Sequence, residues 1–147
     1  MGYYSRTRGA ITITPPLTWN EYKDSPFRDT RGQNGYRNVI LHIERATPNA
    51  DAPEPPQEGG PEFIATELRG HEDEQKLYHM EEHIREFIAA FPGRAYSGYL
   101  IRSGEQQGDL ERYTVEDGEL IVEKARLVWS DGPIEDIEDV DEKDYQL

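Results

Sequence analysis

A chain of 147 residues is the length of one domain, and its lack of cysteine excludes disulfides, thiolate metal ligands, iron–sulfur ligation and a cysteine nucleophile. The formal charge of −14 is unevenly spread: residues 1–48 hold seven Lys or Arg against four acids, residues 49–147 nine against twenty-six. That balance argues against ordinary duplex-DNA binding through phosphates, and leaves a basic partner, or a small anion held by the N-terminal arginines.

MGYYSRTRGAIT contains no apolar run suited to a secretory leader, and no stretch approaches transmembrane length, so the expected setting is cytoplasmic, with no membrane partner. In GAITITPP, Ile11 and Ile13 alternate with Thr12 and Thr14, which predicts a half-buried strand closed by Pro15-Pro16. Thr18-Trp19-Asn20-Glu21 has the spacing of a capping box. It predicts a short helix from Trp19 to about Asp24, ended by Ser25-Pro26. After a polar loop over residues 28–36, NVILHIE reads as a strand with Val39, Leu41 and Ile43 on one face and Ile40 and His42 on the other. Residues 46–62 hold five of the ten prolines and no large apolar residue, a long connection within one domain. PEFIATEL resumes as a strand.

A long helix is predicted over about Glu72 to Phe91. Glu72, Asp73 and Glu74 would sit at the positive end of its dipole, Phe91-Pro92-Gly93 would stop it, and Leu77, Met80, Ile84, Phe87, Ile88 and Phe91 would face the core. Its His79, Glu82 and His83 spell His-x-x-Glu-His, the inverted zincin motif, in which two imidazoles share zinc and the glutamate acts as base. Both histidines fall beside the apolar stripe, and a catalytic zinc needs a third protein ligand in a cleft. The expected role is therefore a solvated helix flank, and no metal or other cofactor is assigned.

AYSGYLIRSG reads as a strand, followed by a hairpin around Asp117-Gly118. With those two residues at the turn centre, Val115 faces Leu120 and Tyr113 faces Val122. The same register sets Arg112 opposite Glu123, Glu111 opposite Lys124 and Asp109 opposite Arg126, three pairs of opposite charge. From Asp131 the chain becomes an acidic tail with eight acids, one lysine, and Ile134, Ile137 and Val140 at intervals of three. The organisation predicted is one α+β domain over residues 1–130 and a tail over 131–147. The element order suggests a mainly antiparallel sheet with two helices on one face, a ferredoxin-like βαββαβ core extended by a C-terminal hairpin.

Two sets of side chains are candidates for binding. Tyr3, Tyr4, Arg6 and Arg8 join ring faces for stacking to guanidinium groups for phosphate, and Arg28 and Arg31 lie on a loop that would close over a small anionic, nucleotide-type ligand. Glu135, Asp136, Glu138, Asp139 and Asp141 would offer the tail to a basic protein partner. Glu105 and Asp109 are a pair of carboxylates in one loop, but acids in glycine-containing turns usually serve the turn. With no phosphate-cradling glycine motif and no Gly-x-Ser-x-Gly elbow, the chain reads as no enzyme, and no catalytic residue is assigned.

Two segments carry a family likeness. The first holds Gly2, Tyr3, Arg6, Gly9, Pro15, Pro16, Leu17 and Trp19. The second holds Gly98, Tyr99, Leu100, Gly104, Glu105, Gly108, Asp109, Asp117, Gly118, Val128 and Trp129. Together they resemble a small uncharacterised family of actinobacteria and their phages. The resemblance implies a bacterial cytosol, with phage infection as one setting, and no activity. The expected function is a non-catalytic accessory protein that binds and modulates a host protein, through its acidic surface. The alternatives are a protein that sequesters a small nucleotide-type ligand, or a structural subunit of an assembly.

Overall fold

In the computed structural model, which describes residues 2–28, 37–46, 62–73, 75–131 and 134–135, the alternation of Ile11 and Ile13 with threonines opens a long first strand, β1 (Arg6–Leu17). It leads through α1 (Trp19–Lys23) to β2 (Val39–Arg45), β3 (Phe63–Gly70), α2 (Met80–Ala90) and β4 (Ala95–Ser103). The chain then forms β5 (Leu110–Glu116), β6 (Glu119–Lys124) and a small pair, β7 (Leu127–Val128) and β8 (Ile134–Glu135). Six strands make one sheet in the order β2-β3-β1-β4-β5-β6, with every neighbouring pair antiparallel. The protein is α+β.

One face of the sheet carries the core. Ile11, Ile13, Leu41, Leu68, Leu100, Tyr113 and Val115 meet Tyr22 of α1 and Met80, Ile84 and Phe87 of α2 in a single apolar cluster. Phe27 packs edge-on against Phe87, their ring centroids 5.1 Å apart, and closes the end of that cluster next to β2. The short helix forms as its capping box predicts. The Thr18 hydroxyl accepts the Glu21 backbone N–H at 3.3 Å, and the Glu21 carboxylate accepts the Thr18 N–H at 3.1 Å.

The hairpin holds the expected register: Val115 opposes Leu120, Tyr113 opposes Val122, Arg112 opposes Glu123 and Glu111 opposes Lys124. Asp117 and Gly118 both take positive φ, 50° and 78°, as a two-residue turn of type I′ requires.

Three expectations are corrected. Pro15-Pro16 does not close β1, which continues to Leu17. Because proline has no N–H to give, the ladder to β3 instead shifts register between Thr12 and Leu17. The second helix begins at Met80, not near Glu72. Upstream of it, the backbone groups of Gln75 are already used in a bridge to Ser5, at 2.8 and 3.0 Å, and so are not available to a helical ladder. Finally, the β5–β6 ladder stops at Glu111–Lys124, and the Asp109 carboxylate goes to Arg102 instead of Arg126.

Candidate functional site

Alternation along β4 places Leu100 and Arg102 on the core side of the sheet, and an arginine aimed inward must find anions. Arg102 is 8% exposed and finds two. The loop after β4 folds back through a Gly104 N–H to Asp109 carbonyl bond of 2.9 Å, which returns Asp109 beside it. The guanidinium then donates to both Asp109 oxygens, at 2.8 and 3.3 Å, to the Glu111 carboxylate from β5, and to the Ser5 hydroxyl at 3.0 Å.

Tyr3 completes the cluster. Its hydroxyl donates to Asp109 Oδ2 at 2.5 Å and accepts the Gln106 backbone N–H at 2.9 Å, while its own backbone N–H donates to the Tyr78 hydroxyl at 2.6 Å. The N-terminal segment is thereby tied to the loop before β5 and to the loop before α2. Gly104 leaves room for this junction, because a Cβ there would lie 2.2 Å from the Tyr3 hydroxyl and 2.0 Å from Asp109 Oδ2, and those side chains would have to shift out of their bond.

Above this network lies an open pocket of about 410 Å³, bounded by the start of α2 with Met80, Glu81 and Glu82, and walled by Tyr3, Tyr78 and Tyr113. One guanidinium serves two carboxylates, so the floor keeps one surplus negative charge, and Glu81 and Glu82 add to it at the rim. Both rim carboxylates have exposed partners, Arg85 at 2.6 Å and His79 at 3.4 Å.

The titration behaviour agrees with a fixed network. Burial alone would ease the proton off Arg102, but its bonds to Asp109 and Glu111 outweigh that and hold it more firmly charged than a free guanidinium. Those same bonds from Arg102 hold the Asp109 carboxyl below the ordinary range, against the opposite pull of burial. Burial pushes Tyr3 and Tyr113 upward, so both stay neutral hydroxyls.

The residues of the zincin spelling are placed differently. The backbone N–H of Asn38 donates to His83 Nδ1 at 3.0 Å, and the Asn38 side-chain oxygen accepts the His79 backbone N–H at 2.9 Å at the start of α2. His83 thus acts as a neutral acceptor that joins α2 to the start of β2, and burial lowers its affinity for a proton. His79 is 60% exposed at the side chain and pairs with Glu82. Among the described residues no group of three or more His, Asp or Glu side chains is arranged to hold a metal ion.

The candidate ligand set is not gathered in one place. Tyr3 lines the pocket, and Tyr4 is exposed beneath the Lys76 ammonium, 5.6 Å from its ring centre. Arg6 and Arg8 lie on exposed positions of β1, opposite Ser103 and Ile101 of β4. Arg28 bonds the Ser25 carbonyl at 3.3 Å, beside the segment that meets β2. Arg31 lies outside the described residues, as do Asp136, Glu138, Asp139 and Asp141; Glu135 belongs to β8. Of the carboxylate pair, Asp109 belongs to the Arg102 network and Glu105 is exposed.

Sequence reasoning missed Arg102, the residue at the centre. Its signal was present: Leu100 and Arg102 share a strand face, so burial of one implies burial of the other.

No helix of the described residues is long and apolar enough to cross a membrane. Residues 1–144 match a family described as "Family of unknown function (DUF6205)". No curated protein and no solved structure matches the chain.

Proposed function

The chain belongs to the DUF6205 family, and from the pocket beneath α2 we propose a non-catalytic binding protein that modulates a host protein by receiving one of its cationic side chains. The setting that goes with this reading is a bacterial cytosol, in an actinobacterium or during growth of its phage. The observation that carries it is the acidic lining of the pocket: Asp109 and Glu111 share the one guanidinium of Arg102 at the floor, and Glu81 and Glu82, whose partners Arg85 and His79 are exposed, stand at the rim beside the tyrosine walls. A lysine or arginine entering there meets carboxylates for charge-assisted hydrogen bonds and ring faces for cation–π contact. The hydrogen bonds that fix Asp109 as a carboxylate make it a poor proton acceptor, which favours holding a ligand over transforming one.

The strand order β2-β3-β1-β4, with one helix after β1 and one after β3, supports a ferredoxin-like core, to which β5 and β6 add a hairpin. In this arrangement the added hairpin supplies Glu111 and Tyr113, so the extension builds the pocket.

The test is capture from an actinobacterial lysate on immobilised protein, compared with a Glu81→Gln, Glu82→Gln double variant. Both positions are at the pocket rim and partly open to solvent, so the fold should be unaffected. A partner retained by the native chain, released by moderate salt and retained far more weakly by the variant is the expected result. Equal retention by the two proteins would refute the pocket as the binding surface.

A further inference from the structure

The face of the sheet turned away from α1 and α2 is open to solvent, with Tyr99 47% exposed at its middle. Antiparallel register aligns its side chains in rows across the strands. The central row is uncharged from β1 to β6: Ala10 lies opposite Tyr99, and Thr114 opposite Ile121. In the next row toward one end, Arg8 faces Ile101 and Arg112 faces Glu123. In the next row toward the other end, Glu116 faces Glu119 across the hairpin turn.

The charges of these rows are of two kinds. Arg112 with Glu123, at 2.8 Å, and Arg69 with Glu67 are ion pairs closed within the chain. Arg8, Glu116 and Glu119 are exposed, and none of the three has an ion-pair partner among the described residues. Like charges set directly opposite on a ladder repel, so the two glutamates lack a cation and Arg8 lacks an anion. By ideal strand and side-chain spacings they lie roughly 18 Å apart, too far to meet within one chain.

We propose that this face is where a second copy of the chain docks, forming an isologous, face-to-face sheet dimer. The midpoint between Arg8 and the glutamate pair falls in the central row beside Tyr99. A two-fold axis there, lying in the interface, brings Arg8 of each copy onto Glu116 and Glu119 of the other, so that one symmetric placement answers all three open charges twice. The strands of the two sheets then cross at near right angles, one of the two ways in which sheets pack face to face, and Tyr99 of each copy meets its equivalent at the axis. The size agrees. A flat face six strands wide and about seven residues long covers roughly 650 Å², near the ~800 Å² per partner of a standard interface. For two chains of charge −14, a contact that sets cations against acids offsets part of their repulsion. This face is opposite the tyrosine-walled pocket, and the inference stands whether or not that pocket takes a cation.

Sedimentation equilibrium of the full chain from about 1 to about 300 μM tests it. The native chain should form dimers. Arg8→Glu, and separately Glu116→Arg with Glu119→Arg, should each weaken self-association by roughly a hundredfold. An equimolar mixture of the two variants should restore the dimer, because Glu at position 8 then meets the new arginines and the native Arg8 meets the native glutamates. A native chain that stays monomeric overturns the proposal, as does a dimer indifferent to both variants or a mixture that fails to associate. If a charge variant loses its near-ultraviolet signature of folding, a disulfide reads the same axis without altering any charge. In this cysteine-free chain, Tyr99→Cys should oxidise to a covalent dimer several-fold faster than Tyr78→Cys, which replaces a tyrosine 58% exposed on the helix side of the sheet. Equal rates at the two positions would equally overturn the assignment.

Discussion

Arg102 shows what one inward charge demands of its surroundings. Its guanidinium is satisfied by Asp109, Glu111 and Ser5, so removing it leaves two largely buried carboxylates without the cation they share. Arg102→Met is expected to cost about 3 kcal/mol of stability, in the range for breaking a buried ion pair, and a urea titration measures it. His83 makes a prediction of the opposite electrostatic kind. Burial, reinforced by the charge of Arg37, depresses the folded imidazole's affinity for a proton below that of the unfolded chain. Above about pH 6.5, the ordinary histidine value, both states are neutral and the contribution is fully present. As pH falls below that, the unfolded chain takes a proton that the folded one refuses. Stability then declines until the folded imidazole protonates as well. His83→Asn keeps an acceptor near the Asn38 N–H and should flatten this slope in melting temperatures measured from pH 7 down to pH 5.

At the scale of elements, local chemistry and long-range pairing contribute differently. The capping box of α1 was legible because its two hydrogen bonds join residues three apart, and Glu21 also receives Arg94 through both carboxylate oxygens at 2.8 Å. Thr18→Ala should cost about 1 kcal/mol, and its combination with Arg94→Ala should be non-additive in a double-mutant cycle, since both act on Glu21. The start of α2 was not legible in the same way. The apolar stripe extends back to Leu77, which is buried, yet the helix waits for Met80 because Gln75 bridges to Ser5 and Asn38 receives the His79 N–H. Between β1 and β4, Gly98 takes φ of 85°, and a Cβ there would approach the Ala10 carbonyl oxygen to 2.5 Å. Gly98→Ala is expected to destabilise the sheet by about 2 kcal/mol, read from chemical denaturation.

For the whole molecule, a charge of −14 means that folding compresses like charges, so added salt should stabilise. Raising ionic strength from about 0.02 to 0.2 M should lift the melting temperature by a few degrees, and calorimetry in sodium chloride checks it. The sequence alone determined the features that repeat within a few residues: the strand alternations, the Asp117-Gly118 hairpin with four of its cross-strand pairs, the α1 cap and the core stripe of α2. These are periodic or nearest-neighbour effects, and their physics is complete within the segment that shows them. The pocket belongs to the tertiary structure, because its bonds join Tyr3 to Asp109 and Ser5 to Arg102 across about a hundred residues. Only the strand order brings those partners together, and only burial on the shared face of β4 and β5 turns ordinary surface residue types into a network in which each charge needs the others.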